Sequence, residues 1–189
     1  MQALVLLSGP MAVGKSTVAR ELVTNHSFQS LRSSPFLSAL IRSRGQEPSR
    51  ASMQQLGDAF DASTNFSWVV DDVATPLIYA SPEVERWLFD AVRKYQQVAQ
   101  FRERFGDAIL HVHLTAPDDE LRRRFASRVA SAPQIDSLAD FDNSIKHPNE
   151  IASRSLESIA DLVLEVHQLT ARQIATSIMT KLPGGGSHA

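Results

Sequence analysis

The chain has 189 residues, 43% of them hydrophobic and 21% charged, with a formal net charge of −2. That length is most simply one domain with a substantial core, and the near-neutral balance gives no electrostatic ground for non-specific nucleic-acid or membrane binding. There is no cysteine, which excludes disulfides, thiolate metal sites and thiol catalysis and fits a reducing, cytoplasmic compartment.

Residues 3–7 are a short apolar run of the kind expected in a buried parallel strand. The run ends in a polar loop and has no basic flank, so it is not a signal peptide, and the longest apolar runs of the chain are far too short to span a bilayer. The next stretch, GPMAVGKS from Gly9 to Ser16, fits G-x-x-x-x-G-K-[ST] position for position. Gly9 and Gly14 permit the positive φ and close backbone approach that wrapping a phosphate requires. The loop amides and the start of a helix over residues 17–23 converge on the anion. Lys15 would reach the β- and γ-phosphates, and Ser16 would place its hydroxyl on Mg²⁺. The order strand, loop, helix separates this from an ordinary glycine-rich turn.

Phe28–Leu31 reads as a second strand, residues 35–43 as a helix and residues 50–62 as a helix capped by Ser49. Residues 66–79 read as one further helix. Residues 86–91 (RWLFDA) form a third strand and Tyr95–Phe105 an amphipathic helix stopped at Gly106. Residues 108–114 make a fourth strand and 117–129 a helix. After a polar, irregular stretch over 130–147 come a helix at 149–159, a fifth strand at 160–166 and a closing helix at 170–181. The tail PGGGSHA, residues 183–189, reads as a flexible Gly-rich tail or linker, either an expression remnant or a join to a partner domain. This alternation predicts an α/β three-layer sandwich, a five-stranded parallel sheet with helices on both faces.

In such a sheet ligands sit beyond the carboxyl ends of the strands, so polar residues there carry most weight. After strand two come Arg32, Ser33 and Ser34. After strand three, Asp90 is placed to hold Mg²⁺ or accept from an acceptor hydroxyl, and Arg93 to neutralise a transferring phosphoryl group. After strand four, Arg124 and Arg128 share a helix face and could close over nucleotide phosphates. His111 and His113 alternate along one strand with metal-ligand spacing, but no nearby carboxylate or cysteine completes a site, so they read as core histidines. Asp142, His147 and Glu150 gather in DFDNSIKHPNE, which either touches the nucleotide or is a polar loop before Pro148.

With these residues assembled, the sequence resembles the nucleoside monophosphate kinase group of P-loop proteins, nearest the deoxynucleoside monophosphate kinase and dephospho-coenzyme A kinase branch. The resemblance runs over about residues 1–182. It implies a single kinase domain with an acceptor-binding insert at about 32–80 and a lid at about 124–147. It implies ATP and Mg²⁺ as cofactors and a (deoxy)nucleoside monophosphate as the small-molecule acceptor. On it, Gly9, Ala12, Val13, Gly14, Lys15, Ser16 and Thr17 would bind ATP, with Ser16 and Asp90 on the metal. Lys15, Asp90, Arg93, Arg124 and Arg128 would be catalytic, and Arg32, Ser34, Arg42, Asp90, Arg93 and Gln97 would face the acceptor. The helix after strand two, SSPFLSALIR, departs from the group in offering only Arg42, late in the helix. Asp58, Asp61, Asp71 and Asp72 of the insert either face the acceptor or are solvated, and the lid has no cysteine and hence no thiolate zinc site. The second reading is a regulatory or partner-coupled P-loop NTPase module. A third, a nucleic-acid 5′-kinase, is disfavoured by the acidic balance and the lack of a basic stripe.

Overall fold

The computed structural model describes residues 1–131, 141–143 and 145–183. Its elements, in chain order, are β1 (Ala3–Ser8), α1 (Lys15–Asn25), β2 (Phe28–Leu31), α2 (Ser33–Ser43), α3 (Arg50–Ser63), a π-helical turn (Val69–Ala74) running into α4 (Thr75–Ala80), β3 (Arg86–Asp90) and α5 (Tyr95–Phe105). There follow β4 (Ile109–Thr115), α6 (Asp118–Ser131), α7 (Pro148–Ser155), β5 (Leu162–Glu165) and α8 (Ala171–Lys181). Among the described residues the strands form one five-stranded sheet in the order β2-β3-β1-β4-β5, with every pairing parallel. This is the predicted α/β sandwich.

β1 lies at the centre of the sheet, every one of its residues buried, which is why it reads as an unbroken apolar run rather than an alternation. Its side chains still divide by the period of two. Ala3, Val5 and Leu7 join one core with Val18 and Leu22 of α1, Leu121 and Phe125 of α6, and Ile174 and Ile178 of α8. Leu4 and Leu6 join the other with Leu37 of α2, Trp68, Val69, Val70, Val73 and Ala74, and Val98 and Phe101 of α5. Each such leucine contributes about 2 kcal/mol by burial.

Helix starts follow local chemistry. Ser49 accepts from the Ser52 amide and Thr170 from the Gln173 amide, closing capping boxes at α3 and α8. The helix expected over residues 66–79 is instead broken. Asn65 and Phe66 have φ of 50° and 65°, and the following turn is π-helical, with the Thr75 amide bonded to the Val70 carbonyl five residues back. Pro76 supplies the reason: it has no amide for the Asp72 carbonyl, and its ring would clash with that carbonyl, so the turn widens. The helix expected at 149–159 is α7 followed by a 3₁₀ turn, Leu156–Ile159. Of the expected lid, residues 132–140 and 144 lie outside the described residues, as do 184–189 of the tail. No helix among the described residues is long and apolar enough to cross a membrane.

Candidate functional site

The phosphate-loop sequence folds as a concave turn between β1 and α1. Gly9, Ala12 and Gly14 all have positive φ, at 133°, 64° and 104°, a run that turns successive amides to one side. Gly9 is also held by space: a Cβ there would be driven into the Leu114 carbonyl oxygen of β4. Gly14 is the N-cap of α1 and supplies no side-chain cap, and the first turn of α1 carries no acidic residue. The first amides of α1 are thus open to an anion. Gly9, Ala12, Gly14, Lys15, Ser16 and Thr17 all line one cleft of about 940 Å³, at the upper end of the range for small-molecule sites. Val13 is buried, its carbonyl taken by Arg124 at 2.9 Å.

The Lys15 ammonium donates to the Gly9 and Pro10 carbonyls, at 2.5 and 2.8 Å. Burial pushes its pKa down to about 8, against the opposing pull of Glu150 and Asp90 and with the added push of Arg93. A lysine already partly stripped of water and poised over the loop gains from a phosphate, whose charge would offset the cost of its burial and raise its pKa again.

Asp90 ends β3 beside Leu7 of β1, its side chain 11% exposed and 3.6 Å from the Arg32 guanidinium. Arg32, expected at the acceptor, pairs instead with Asp90, and neither is among the residues that line the cleft. Arg93 lines the cleft and has no ion pair among the described residues. Its backbone amide donates to Gln97 Oε1 at 3.0 Å. Ser16 Oγ lines the cleft, and the Asp90 carboxylate is near enough to act on the Lys15 charge; both are hard oxygen ligands. Among the described residues no group of three or more His, Asp or Glu gathers as a cage. Such a donor set suits Mg²⁺, which takes one or two protein oxygens and completes its shell with water and phosphate.

Arg124 and Arg128 of α6 both reach the cleft. Arg124 is fixed by Glu120 at 2.6 Å, the Val13 carbonyl at 2.9 Å and the Val166 carbonyl at 3.3 Å. Arg128 lies over the Phe125 ring, 4.7 Å from its centroid. Glu120 also takes two hydrogen bonds from Arg123, and the two arginines together hold its carboxyl down to about 2.

Opposite the loop, α2, α3 and the start of α5 form a wall. Ser34 and Gln97 line it, as does Asp61, which is 5% exposed and accepts from Trp68 Nε1 at 2.8 Å, Lys94 Nζ at 2.7 Å and Gln97 Nε2 at 3.3 Å. Lys94 also donates to Asp58 at 2.9 Å. Burial works against the Lys94 charge, but the two carboxylates outweigh it and hold its pKa above the ordinary value. The insert's four aspartates therefore part company: Asp58 and Asp61 line the cleft, while Asp71 pairs with Arg104 on the outside and Asp72 is exposed. Arg42, expected to grip the acceptor, sits exposed in the last turn of α2, outside the cleft lining. The helix turns it away, since Leu37 and Ile41 occupy the buried face.

Two features escaped the sequence reading. Arg50, at the start of α3, lines the cleft. The beginning of α7 clamps the phosphate loop: Glu150 Oε1 accepts from the Met11 amide at 2.8 Å, and Ser153 Oγ donates to the Gly9 carbonyl at 3.0 Å. Contacts across more than a hundred residues leave no trace in local pattern. His147 caps α7, accepting from the Asn149 amide at 3.1 Å, and meets the Gln54 amide at 2.7 Å. Of the 140–150 segment, Glu150 and His147 thus reach the cleft, whereas Asp142 pairs with Arg122. His111 and His113 are core histidines, both bonded to Ser8 Oγ, at 2.8 and 2.9 Å, and burial pushes each down to about 4.

A family model described as an AAA domain matches residues 5–147. No curated protein matches the chain. Among solved structures, an unliganded sugar kinase from Janibacter sp. HTCC2649 is similar at 16% identity over 100% of both chains, with a TM-score of 0.55. Shikimate kinase from Acinetobacter baumannii, solved with shikimate, is similar at 21% identity over 95% of this chain and 92% of its own, with a TM-score of 0.54. Dephospho-CoA kinase from Campylobacter jejuni is similar at 10% identity over 99% of this chain and 100% of its own, with a TM-score of 0.55. These likenesses are of fold.

Proposed function

The chain belongs to the AAA domain family, and from that premise we propose that it is an ATP-dependent small-molecule kinase whose acceptor is a nucleoside monophosphate. The observation that carries the proposal is the opening of the phosphate loop and Lys15 into the same cleft as Arg93, Arg124 and Arg128, with a separate wall at Ser34, Asp61 and Gln97 facing them. Phosphoryl transfer is catalysed chiefly by position and charge, and that inventory supplies both. An acceptor oxygen bonds to the terminal phosphorus of ATP as the bond to the bridging oxygen breaks and ADP leaves. A monophosphate acceptor arrives ionised, so no base is required, and Asp90 is left to hold the metal.

In this reading the loop amides and Lys15 bind the β- and γ-phosphates. Arg93 meets the acceptor phosphate and the moving phosphoryl group, and Arg124 and Arg128 close over the nucleotide from α6. Ser16 and Asp90 would hold Mg²⁺, whose contribution when bound is neutralisation of phosphate charge. The neighbouring folds described above are named as kinases of a sugar, shikimate and dephospho-CoA, so the acceptor panel must be broad. ADP release from Mg-ATP is measured with ribo- and deoxynucleoside monophosphates, dephospho-CoA, shikimate and simple sugars, with Lys15→Ala as control. Turnover with a monophosphate that is lost in Lys15→Ala is expected; transfer unaffected by that change sinks the proposal. The second reading is a module that holds a nucleotide without transferring phosphate. Glu150 favours it in one respect, because a carboxylate already occupies the Met11 amide, and it predicts ATP binding with no acceptor phosphorylated.

A further inference from the structure

Gly57 stands inside α3, where glycine is the poorest helix former after proline. Nothing in the fold asks for it. Its φ is not positive. A Cβ there would meet only Leu37 Cδ1 at 3.7 Å and Trp68 Cζ2 at 3.9 Å, ordinary van der Waals contacts. Yet Gly57 lines the cleft together with Leu37 and Trp68. A helix that accepts its worst ordinary residue, at a point where alanine fits the protein, leaves the space for something that is not protein.

The surroundings describe the occupant. The Trp68 indole, 3% exposed, is backed by Phe36 and Phe60, at centroid distances of 5.9 and 5.5 Å, and its N–H is tied to Asp61, so it is a rigid apolar body that meets the cleft at the Cζ2 edge beneath Gly57. Leu37 and Val69 continue that surface along the cleft. Polar groups edge it: Asp58 and Gln54 on the neighbouring positions of α3, and Asn149 across the gap, whose amide reaches Asp58 at 3.4 Å. A flat apolar floor with hydrogen-bonding groups at one edge fits a planar heterocycle better than a polyol, which would leave the floor wet and need polar partners all round.

We propose that Gly57 is the specificity-determining residue of the acceptor site, its missing side chain forming the floor on which a planar ring of a monophosphate-bearing acceptor lies against Trp68. This rests on the proposed kinase reading for the identity of the site, and it adds where the ring lies and the residue that admits it. The phosphate end of the same molecule points to Arg93, and the ring edge to Asp58.

The test is calorimetric binding without ATP, comparing AMP, GMP, CMP, UMP and dTMP with ribose 5-phosphate, which has the anion but no ring, on wild type and Gly57→Ala. At least one nucleotide should bind about tenfold tighter than ribose 5-phosphate. Gly57→Ala should weaken that nucleotide about tenfold, the effect of one methyl in a filled pocket. It should leave ribose 5-phosphate unchanged and raise Tm by about 2–4 °C, as expected for alanine replacing a helical glycine in a chain of this size. The inference is overturned if no nucleotide binds better than ribose 5-phosphate, or if Gly57→Ala weakens neither or weakens both equally. Ring-selective binding without ATP-dependent phosphorylation would sink the kinase reading and leave this one standing. Turnover on a ringless acceptor alone would overturn this inference together with the nucleoside monophosphate acceptor, and leave standing only the transfer of phosphate to a small molecule.

Discussion

Acid should unfold this protein in two separable stages, and the first belongs to the paired histidines under the phosphate loop. His111 and His113 sit at pKa values of about 4 in the folded chain, against an ordinary 6.5. Their folded pKa is depressed, so the unfolded chain binds more protons between these values, and stability falls as pH drops through that window. From pH 7 to 4.5 the loss is about 2.4 kcal/mol for each ring and close to 5 for the pair, an upper figure because water reaching a protonated ring lowers the penalty. That is a large part of the whole stability of a domain of ordinary size, about 5–15 kcal/mol. The carboxylates that Lys94, Arg123 and Arg124 hold low, Asp58 and Glu120, add their loss only below about pH 4.5. The assay is urea unfolding at pH 7, 5.5 and 4.5 on wild type and on His113→Gln, whose amide keeps a partner for Ser8 without titrating. The slope should be steep in wild type and roughly halved in the variant. Stability flat to within about 0.5 kcal/mol across that window, or an unchanged slope in His113→Gln, would refute the reasoning.

Binding of ATP should draw in a proton in alkaline solution. The phosphates would return Lys15 from about 8 toward its ordinary value, so calorimetry in buffers of different ionisation enthalpy should give uptake of roughly 0.7 proton per ATP at pH 8.5 and almost none at pH 7. Equal uptake at both values would mean that Lys15 does not meet the phosphates. Gly9→Ala should cost more than about 3 kcal/mol, since its Cβ collides with the Leu114 carbonyl at a φ of 133°. A variant as stable in urea as wild type would show that the loop moves aside. Asp61→Ala should cost about 2–3 kcal/mol by leaving Lys94, Trp68 Nε1 and Gln97 without their acceptor. A Lys94→Met/Asp61→Ala double variant should recover part of that loss, and no recovery would remove the ion pair from the account.

The phosphate loop is legible in the sequence because its geometry is local: two glycines, a lysine and a hydroxyl fall within eight consecutive positions, Gly9 to Ser16. The sheet is legible for a related reason, since buried parallel strands read as apolar runs whichever strands they pair with. Sequence order cannot fix partnerships set by packing. Lys94, in the loop after β3, binds two aspartates from α3, more than thirty residues away. Glu150 belongs by sequence to a segment that either touches the nucleotide or is a polar loop, and in the fold it clamps the Met11 amide. Arg42 failed in the opposite direction, because a helix residue is aimed by the period of its own buried face rather than by its distance from the last strand. The π turn could have been suspected from Pro76, the one local signal in that stretch.

The sheet divides the molecule's packing as well as its layers. On one side β1 shares its core with α1, α6 and α8, the elements that carry Lys15, Ser16, Arg124 and Arg128. On the other it shares its core with α2, the π turn and α5, the elements that carry Ser34, Val69 and Gln97. Close-packed interiors pass strain to their immediate neighbours, and changes at well-separated positions add independently. A lineage of such chains can therefore drift the interior behind the wall at Ser34 and Gln97 while the other, behind the phosphate loop and its arginines, is inherited intact.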